Sequence, residues 1–268
     1  MSTQIIKIQH NDDHFYKRLI GFALPLLLQY LIINCLNLVD NVMIGSLGEI
    51  SISGVGLGNQ VFFLANLFMV GITGGSSIFL AQFWGKKDID GIHKIMGLAF
   101  IMCLIIAAFF TIAGTAFAEK VMAIYSEDIL VIQEGARYLR IAAISYIPFA
   151  LTMVLVAALR ATGNVRVPLF ASMVALSLNT FLNYCLIFGN FGMPELGVEG
   201  AAIATTIART VEIIILLAVT YSKSLPIAAR FIEFVTIPFA FFKKVIGRIL
   251  LVLGNEVAWA LGTKLYTV

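Results

Sequence analysis

An all-α, polytopic transmembrane helical bundle is the fold class this sequence predicts, and three observations carry that reading. Hydrophobic residues fill 60% of the 268 positions and charged residues only 12%, against about 25% charged in an ordinary soluble domain. Mean hydropathy is +0.97. The apolar runs reach the roughly 20 residues that a helix needs to cross a hydrocarbon core of about 30 Å, and the alternating pattern of a membrane β-barrel is absent from the sequence. Helices follow because they satisfy their own backbone hydrogen bonds in lipid.

Along the chain, residues 1–18 form a polar start containing Asp12, Asp13, Lys17 and Arg18. The first apolar run, 19–44, is longer than a signal-peptide core and lacks a small-x-small cleavage site, so it reads as a retained helix. Further spans are expected at 55–84, 92–118, 138–159, 167–188 and 197–221, which makes residues 19–222 a six-helix lobe. Residues 223–244 carry Pro226 and Pro238 with basic and aromatic residues between them. That pattern suits a cytoplasmic linker with a helix in the headgroup plane; a short spanning hairpin is the alternative. Residues 245–268 open a seventh span that is still running at Val268.

Basic loops stay cytoplasmic. With the N-terminus inside, the inner segments collect Lys86, Lys87, Lys94, Arg160, Arg166, Lys223, Arg230, Lys243, Lys244 and Arg248, whereas the outer loops hold Lys120, Arg137 and Arg140. A multi-pass protein of the cell (plasma or inner) membrane with a cytoplasmic N-terminus is expected. The net charge of +3 is spread through these loops rather than gathered in one patch, so nucleic acid is not an expected partner. Cys35, Cys103 and Cys185 lie scattered in apolar segments without metal-ligand spacing and read as small buried hydrophobes. Gly71 and Gly75 form a small-xxx-small pair that lets helices approach closely. Pro25 and Pro148 fall within spans, where each removes a backbone donor and can kink the helix.

Polar residues inside the spans are the places to look for function, because they are costly there and face a bundle interior or a wet cavity. On the first helix Gln29, Asn34, Asn37, Asp40 and Asn41 share an arc of roughly 140°. Asp40 lies 22 residues beyond Arg18, about 33 Å along the axis, in the outer half of the membrane. An acid at that depth is either interfacial and hydrated from outside or the cap of an amide-lined cavity. On the fifth span Asn179 and Asn183 stand one turn apart with Ser172 below them. Such amides lend carbonyl oxygens to a hard cation such as Na⁺, hydrogen-bond a protonated acid, or act as interhelical glue. Thr205 adds a hydroxyl on the sixth span. Arg209 and Glu212, at i,i+3, either neutralise each other or face a substrate. Glu256 in the seventh span, near Trp259, is a further acid in apolar surroundings.

No nucleophile elbow or phosphate-binding Lys-Ser/Thr loop occurs, and His10, His14 and His93 all sit in polar segments. Enzymatic activity and a cofactor are therefore not expected.

Several stretches together resemble the multidrug and toxic compound extrusion (MATE) family of secondary antiporters. "ALPLLLQYLIINCLNLVDNVMIG" is similar to the family's Pro-containing helix 1 with its Asp near the end. "AQFWGKKD" resembles the turn after helix 2, "LRATGNVRVP" the helix 4 to 5 loop, "GVEGAAIAT" the start of helix 6, and "GNEVAWALGTKLY" the acidic helix 7. The resemblance implies two six-helix lobes with alternating access between them. It places Asp40 on the helix 1 acid that binds H⁺ or Na⁺, with Asn179, Asn183 and Thr205 in the same cation site. Glu256 falls on the helix 7 acid of the second lobe, and Pro25 on the proline linked to helix 1 bending. Gln29, Asn34, Asn37 and Asn41 are candidate cavity-lining residues. The sequence departs from the family in three ways: some members carry an acid where Asn183 stands; Leu251 occupies the region before Asn255-Glu256 where a proline is common; and the chain ends inside helix 7.

The leading expectation is thus the N-terminal portion of an antiporter that exports organic, often cationic, drugs in exchange for H⁺ or Na⁺, with most of a second lobe missing. A lipid-linked saccharide flippase of the same superfamily and a non-transporting fragment are the alternatives.

Overall fold

The computed structural model describes residues 12–230, 233–234 and 238–266, and among them the regular structure is helical throughout. Nine α-helices follow in order: α1 (Asp12–Gly45), α2 (Glu49–Gly85), α3 (Ile89–Ala116), the short α4 (Ala118–Met122), α5 (Ile129–Ala142), α6 (Tyr146–Ala161), α7 (Arg166–Phe188), α8 (Gly197–Ser222) and α9 (Phe239–Tyr266). Among the described residues, five segments are long and apolar enough to cross a membrane by length and composition: Glu49–Gly85, Ile89–Ala116, Ile129–Ala161, Arg166–Phe188 and Gly197–Ser222.

Local chemistry sets the boundaries. Gly48, with φ 111, lets the chain reverse in three residues between α1 and α2. Asp88 caps α3 by accepting from the Gly91 amide at 2.9 Å, and Asp128 caps α5 by accepting from Leu130 at 2.8 Å. That cap starts α5 well before the expected beginning of the fourth span at residue 138. α5 and α6 join through a 3₁₀ turn, Ala143–Ser145, just ahead of Pro148, whose missing N–H leaves the preceding turn without its ordinary bond. Ahead of the proline expected to kink this span, three residues run as a tighter helix. α7 ends on Gly189 in the left-handed conformation, φ 69.

At the end of the chain, residues 223–230 run as turns and irregular chain with Ile227 and Ala229 buried, 233–234 are helical, and residues 231–232 and 235–237 of the expected in-plane segment lie outside the described residues. The expected seventh helix begins at Phe239 instead of residue 245 because Pro238 stands immediately before it and its carbonyl accepts from Phe241 and Phe242 at 2.9 and 3.1 Å. His93 holds the linker against α3: Nε2 is 3.1 Å from the Pro226 carbonyl, Nδ1 is 3.1 Å from Glu233 Oε2, and Phe234 packs edge-on to Phe100 with centroids 5.3 Å apart.

The bundle is held by shape more than by solvent exclusion, since lipid tails are as apolar as a helix surface. Met69, Ile72 and Leu80 of α2, Ile92, Ile95 and Met96 of α3, and Leu139, Tyr146, Leu159 and Leu216 form its fully buried interior. Small residues let backbones touch. A Cβ added at Gly71 would stand 2.8 Å from Leu253 Cα, and one at Gly75 would stand 2.9 Å from Ile249 Cα, so the small-xxx-small pair is the groove into which α9 fits. Gly200 plays the same part between α8 and α7, its added Cβ lying 2.5 Å from the Leu186 carbonyl. On the outside, Leu27, Leu31, Leu38 and Val42 of α1 and Ile105, Phe109 and Ile112 of α3 are widely exposed, as a lipid-facing surface requires.

Candidate functional site

α1, α2, α5, α6, α7 and α8 surround a cavity of about 310 Å³. Its wall carries Asp40 and Asn41 from α1, Asn59 and Phe62 from α2, Tyr138 from α5, Asn179 and Asn183 from α7, and Thr205, Arg209 and Glu212 from α8. The carboxylate of Asp40 therefore faces a cavity rather than only the interface, which is one of the two environments its position left open.

Asn183 is 1% exposed and donates Nδ2–H to Asp40 Oδ1 at 2.7 Å. Asn179, one turn toward the start of α7, satisfies both of its groups when its NH₂ faces the carboxylate. It then donates to Asp40 Oδ2 at 2.9 Å and Oδ1 at 3.2 Å, and its carbonyl accepts from the Thr205 amide at 3.3 Å. Turned over, it makes only two 3.4 Å contacts, accepting from Asn183 Nδ2 and donating to Thr205 Oγ1, and sets its carbonyl oxygen against the carboxylate. Both orientations keep Thr205 as a partner but suit opposite charge states: NH₂ inward suits a bare carboxylate, and oxygen inward suits a proton or a cation at the carboxylate. A second oxygen is available nearby, because Asn183 Oδ1 is buried and has no hydrogen-bond partner, an arrangement that costs free energy unless something engages it.

Below this cluster a chain of side-chain hydrogen bonds crosses four helices. Arg160 donates to Gln29 Oε1 at 2.8 Å, Gln29 Nε2 to Ser172 Oγ at 2.9 Å, and Ser172 to Glu212 Oε1 at 2.8 Å. Arg209 completes it by donating to Glu212 Oε2 at 3.1 Å. Glu212 is thereby neutralised and fully bonded at 3% exposure, whereas Arg209 keeps 30% of its side chain open.

The candidate residues divide accordingly. Asp40, Asn179, Asn183 and Thr205 come together, and Asn41 lines the same cavity. Gln29 joins the lower chain instead of the cavity wall. Asn34 is exposed and bonds its own helix, donating to the Tyr30 carbonyl at 2.8 Å. The side chains of Asn37 and Pro25 lie outside the described residues. Glu256 sits partly exposed on α9, away from the cavity lining. Sequence reasoning missed Asn59, which accepts from Tyr138 Oη at 3.3 Å, and it missed the reach of Arg160 to Gln29. Asn59 carried the same signal as the others, an amide inside an apolar run.

Fold and site together describe a polytopic helical membrane protein with a buried carboxylate–carboxamide cluster on a polar cavity. The chain belongs to the MatE family, whose sequence profile matches residues 25–185. It is 29% identical over 208 residues to the probable multidrug resistance protein NorM of Thermotoga maritima, covering 77% of this chain and 45% of that protein. To the probable multidrug resistance protein YoeA of Bacillus subtilis it is 28% identical over 207 residues, covering 77% and 45%. NorM of Burkholderia mallei is 32% identical over 209 residues, with 75% and 43% covered. Among solved structures, a MATE in the bent conformation superposes with a TM-score of 0.79 at 19% identity, covering 92% of this chain and 55% of that one. A transporter of the MOP superfamily from Pyrococcus furiosus gives 0.81 at 19% identity, covering 92% and 54%. The chain thus spans about half the length of the relatives it matches.

Proposed function

We propose that this chain forms the cation-coupling lobe of an exporter in which H⁺ or Na⁺ entering at Asp40 drives an organic, often cationic, drug outward by alternating access across the cell membrane. The observation that carries the proposal is the set Asp40, Asn179, Asn183 and Thr205 on one cavity, with Asn183 bonded to the carboxylate through Nδ2 and its buried Oδ1 unpartnered. The multidrug-resistance names of the relatives support the choice of drugs as cargo.

Coupling follows from the chemistry of the amides. A bare Asp40 draws the NH₂ groups of Asn179 and Asn183 inward. A proton or Na⁺ removes that demand, turns carbonyl oxygens toward the carboxylate and changes how α7 and α8 bear on α1. Organic cation and coupling ion then compete for one negative charge, so binding of one expels the other. The bilayer and a second six-helix lobe are the partners this scheme requires; it needs no cofactor and no catalytic step. The loop charges support a cytoplasmic N-terminus, and Glu256 would serve the second lobe.

In a chain extended by a second lobe, Asp40→Asn should abolish pH- or Na⁺-driven efflux of a fluorescent organic cation from loaded vesicles. Unchanged efflux overturns the proposal.

A further inference from the structure

The cavity carries a positive charge as well as a negative one. Arg209 sits one helical turn toward the cytoplasm from Thr205 on α8, about 6 Å along the axis, and lines the same cavity as Asp40. Its guanidinium lies over the Phe149 ring, 4.9 Å from the centroid, and one of its nitrogens, Nη1, is tied to Glu212 Oε2 at 3.1 Å. Glu212 is itself locked by Ser172, and Ser172 by Gln29. Arg209 is therefore a fixed group, clamped on one side and stacked on another, while 30% of its side chain stays exposed and it borders the cavity. A guanidinium has five N–H donors in a planar fork suited to a carboxylate, and the Glu212 bond occupies one nitrogen.

Glu212 borders the cavity too, but it is 3% exposed with both oxygens bonded, whereas Arg209 keeps 30% of its side chain exposed beyond that pairing. A ligand bearing a single positive charge gains nothing from it, and a dication is repelled by it. We propose that Arg209 is the recognition group for an anionic end of the ligand, so that the cavity selects a zwitterion with its ammonium at Asp40 and its carboxylate at Arg209. Glu212 and Ser172 are positioning residues that hold the fork in place. The two poles of such a ligand lie roughly 6–10 Å apart, the span of one to two turns of α8. This inference rests on the cavity being the cargo site of the proposed exporter and adds the class of cargo.

The test uses the chain in lipid nanodiscs with two probes that differ at one group: tetramethylrhodamine with a free carboxylate, and its methyl ester. Fluorescence anisotropy reads the affinity of each. Wild type should bind the carboxylate form at least 5-fold more tightly than the ester. The double variant Arg209→Gln/Glu212→Gln, which leaves no buried carboxylate unpaired, should lose that preference, and Arg209→Lys should keep part of it. Equal affinities in wild type, an ester preference, or a preference that survives the double variant overturns the inference. Asp40→Asn separates it from the reading it rests on: that variant should weaken both probes alike and leave their ratio unchanged. A probe ratio that fails while Asp40→Asn still weakens binding removes the zwitterion claim alone. An inert Asp40→Asn overturns the reading on which the inference rests, together with the placement of the ammonium at Asp40, and leaves only the pairing of the ligand carboxylate with Arg209.

Discussion

Replacing Arg209 with Met is the perturbation whose energetic consequence the structure defines best. Glu212 is 3% exposed and has two partners, Ser172 on Oε1 at 2.8 Å and Arg209 on Oε2 at 3.1 Å. Removing the guanidinium leaves a buried carboxylate with one neutral donor. Breaking a fully buried pair in this way costs about 3–5 kcal/mol. Because Arg209 is partly open and cavity water can reach the site, a loss near the lower end, about 2–3 kcal/mol, is expected. Glu212→Met alone should cost less, about 1–2 kcal/mol, since the cation it strands is better solvated and can turn into the cavity. The double variant Arg209→Met/Glu212→Met should return to within about 1 kcal/mol of wild type, because a well-packed apolar pair replaces an ion pair at little net cost. Reversible unfolding in mixed micelles, followed by circular dichroism, gives the three differences and a coupling energy. A double variant as unstable as the sum of the singles refutes the reasoning.

Other consequences follow from particular contacts. Asn183→Asp places a second carboxyl beside Asp40, and Na⁺ affinity measured by isothermal titration should rise roughly tenfold as the ion meets two charges instead of one; lowered affinity contradicts the assigned geometry. Gly75→Leu forces α9 away from α2, because even a Cβ there meets Ile249 Cα at 2.9 Å. A disulfide between Gly74→Cys and Val252→Cys, whose positions face each other, should form with mild oxidant in the parent background and fail in the Gly75→Leu background. His93→Ala removes two ties of the linker, so trypsin should cut after Arg230 several-fold faster than in wild type; an unchanged rate would show that the Tyr221 Oη bond to the Ala229 carbonyl at 2.7 Å and the packing of Phe234 hold it without the imidazole.

The helices were legible because each run of apolar residues long enough to span a bilayer has few other conformations open to it. Their ends were less so. The start of α5 depends on one capping side chain, Asp128, and the start of α9 on Pro238, and neither alters the hydropathy of its neighbours. At the site, helical spacing put Asn179 and Asn183 on one face, and the depth of Asp40 is a matter of counting. What spacing does not give is which faces meet. The arc that grouped Gln29 with Asn34 and Asp40 on α1 is divided in the bundle: Gln29 turns to Ser172 and Arg160, Asn34 stays outside, and Asp40 turns to α7. Arg209 and Glu212 were readable as a pair, but only the packing of α8 on the cavity shows that one of the two stays open to it.

The most direct test of the central claim is infrared difference spectroscopy of the chain in lipid, stepping pH or Na⁺ and comparing wild type with Asp40→Asn. The account predicts a carboxyl band that interconverts with a carboxylate band in wild type and vanishes in the variant, together with a change in the Asn amide carbonyl region that Asn179→Leu removes. Identical difference spectra for wild type and Asp40→Asn would contradict it.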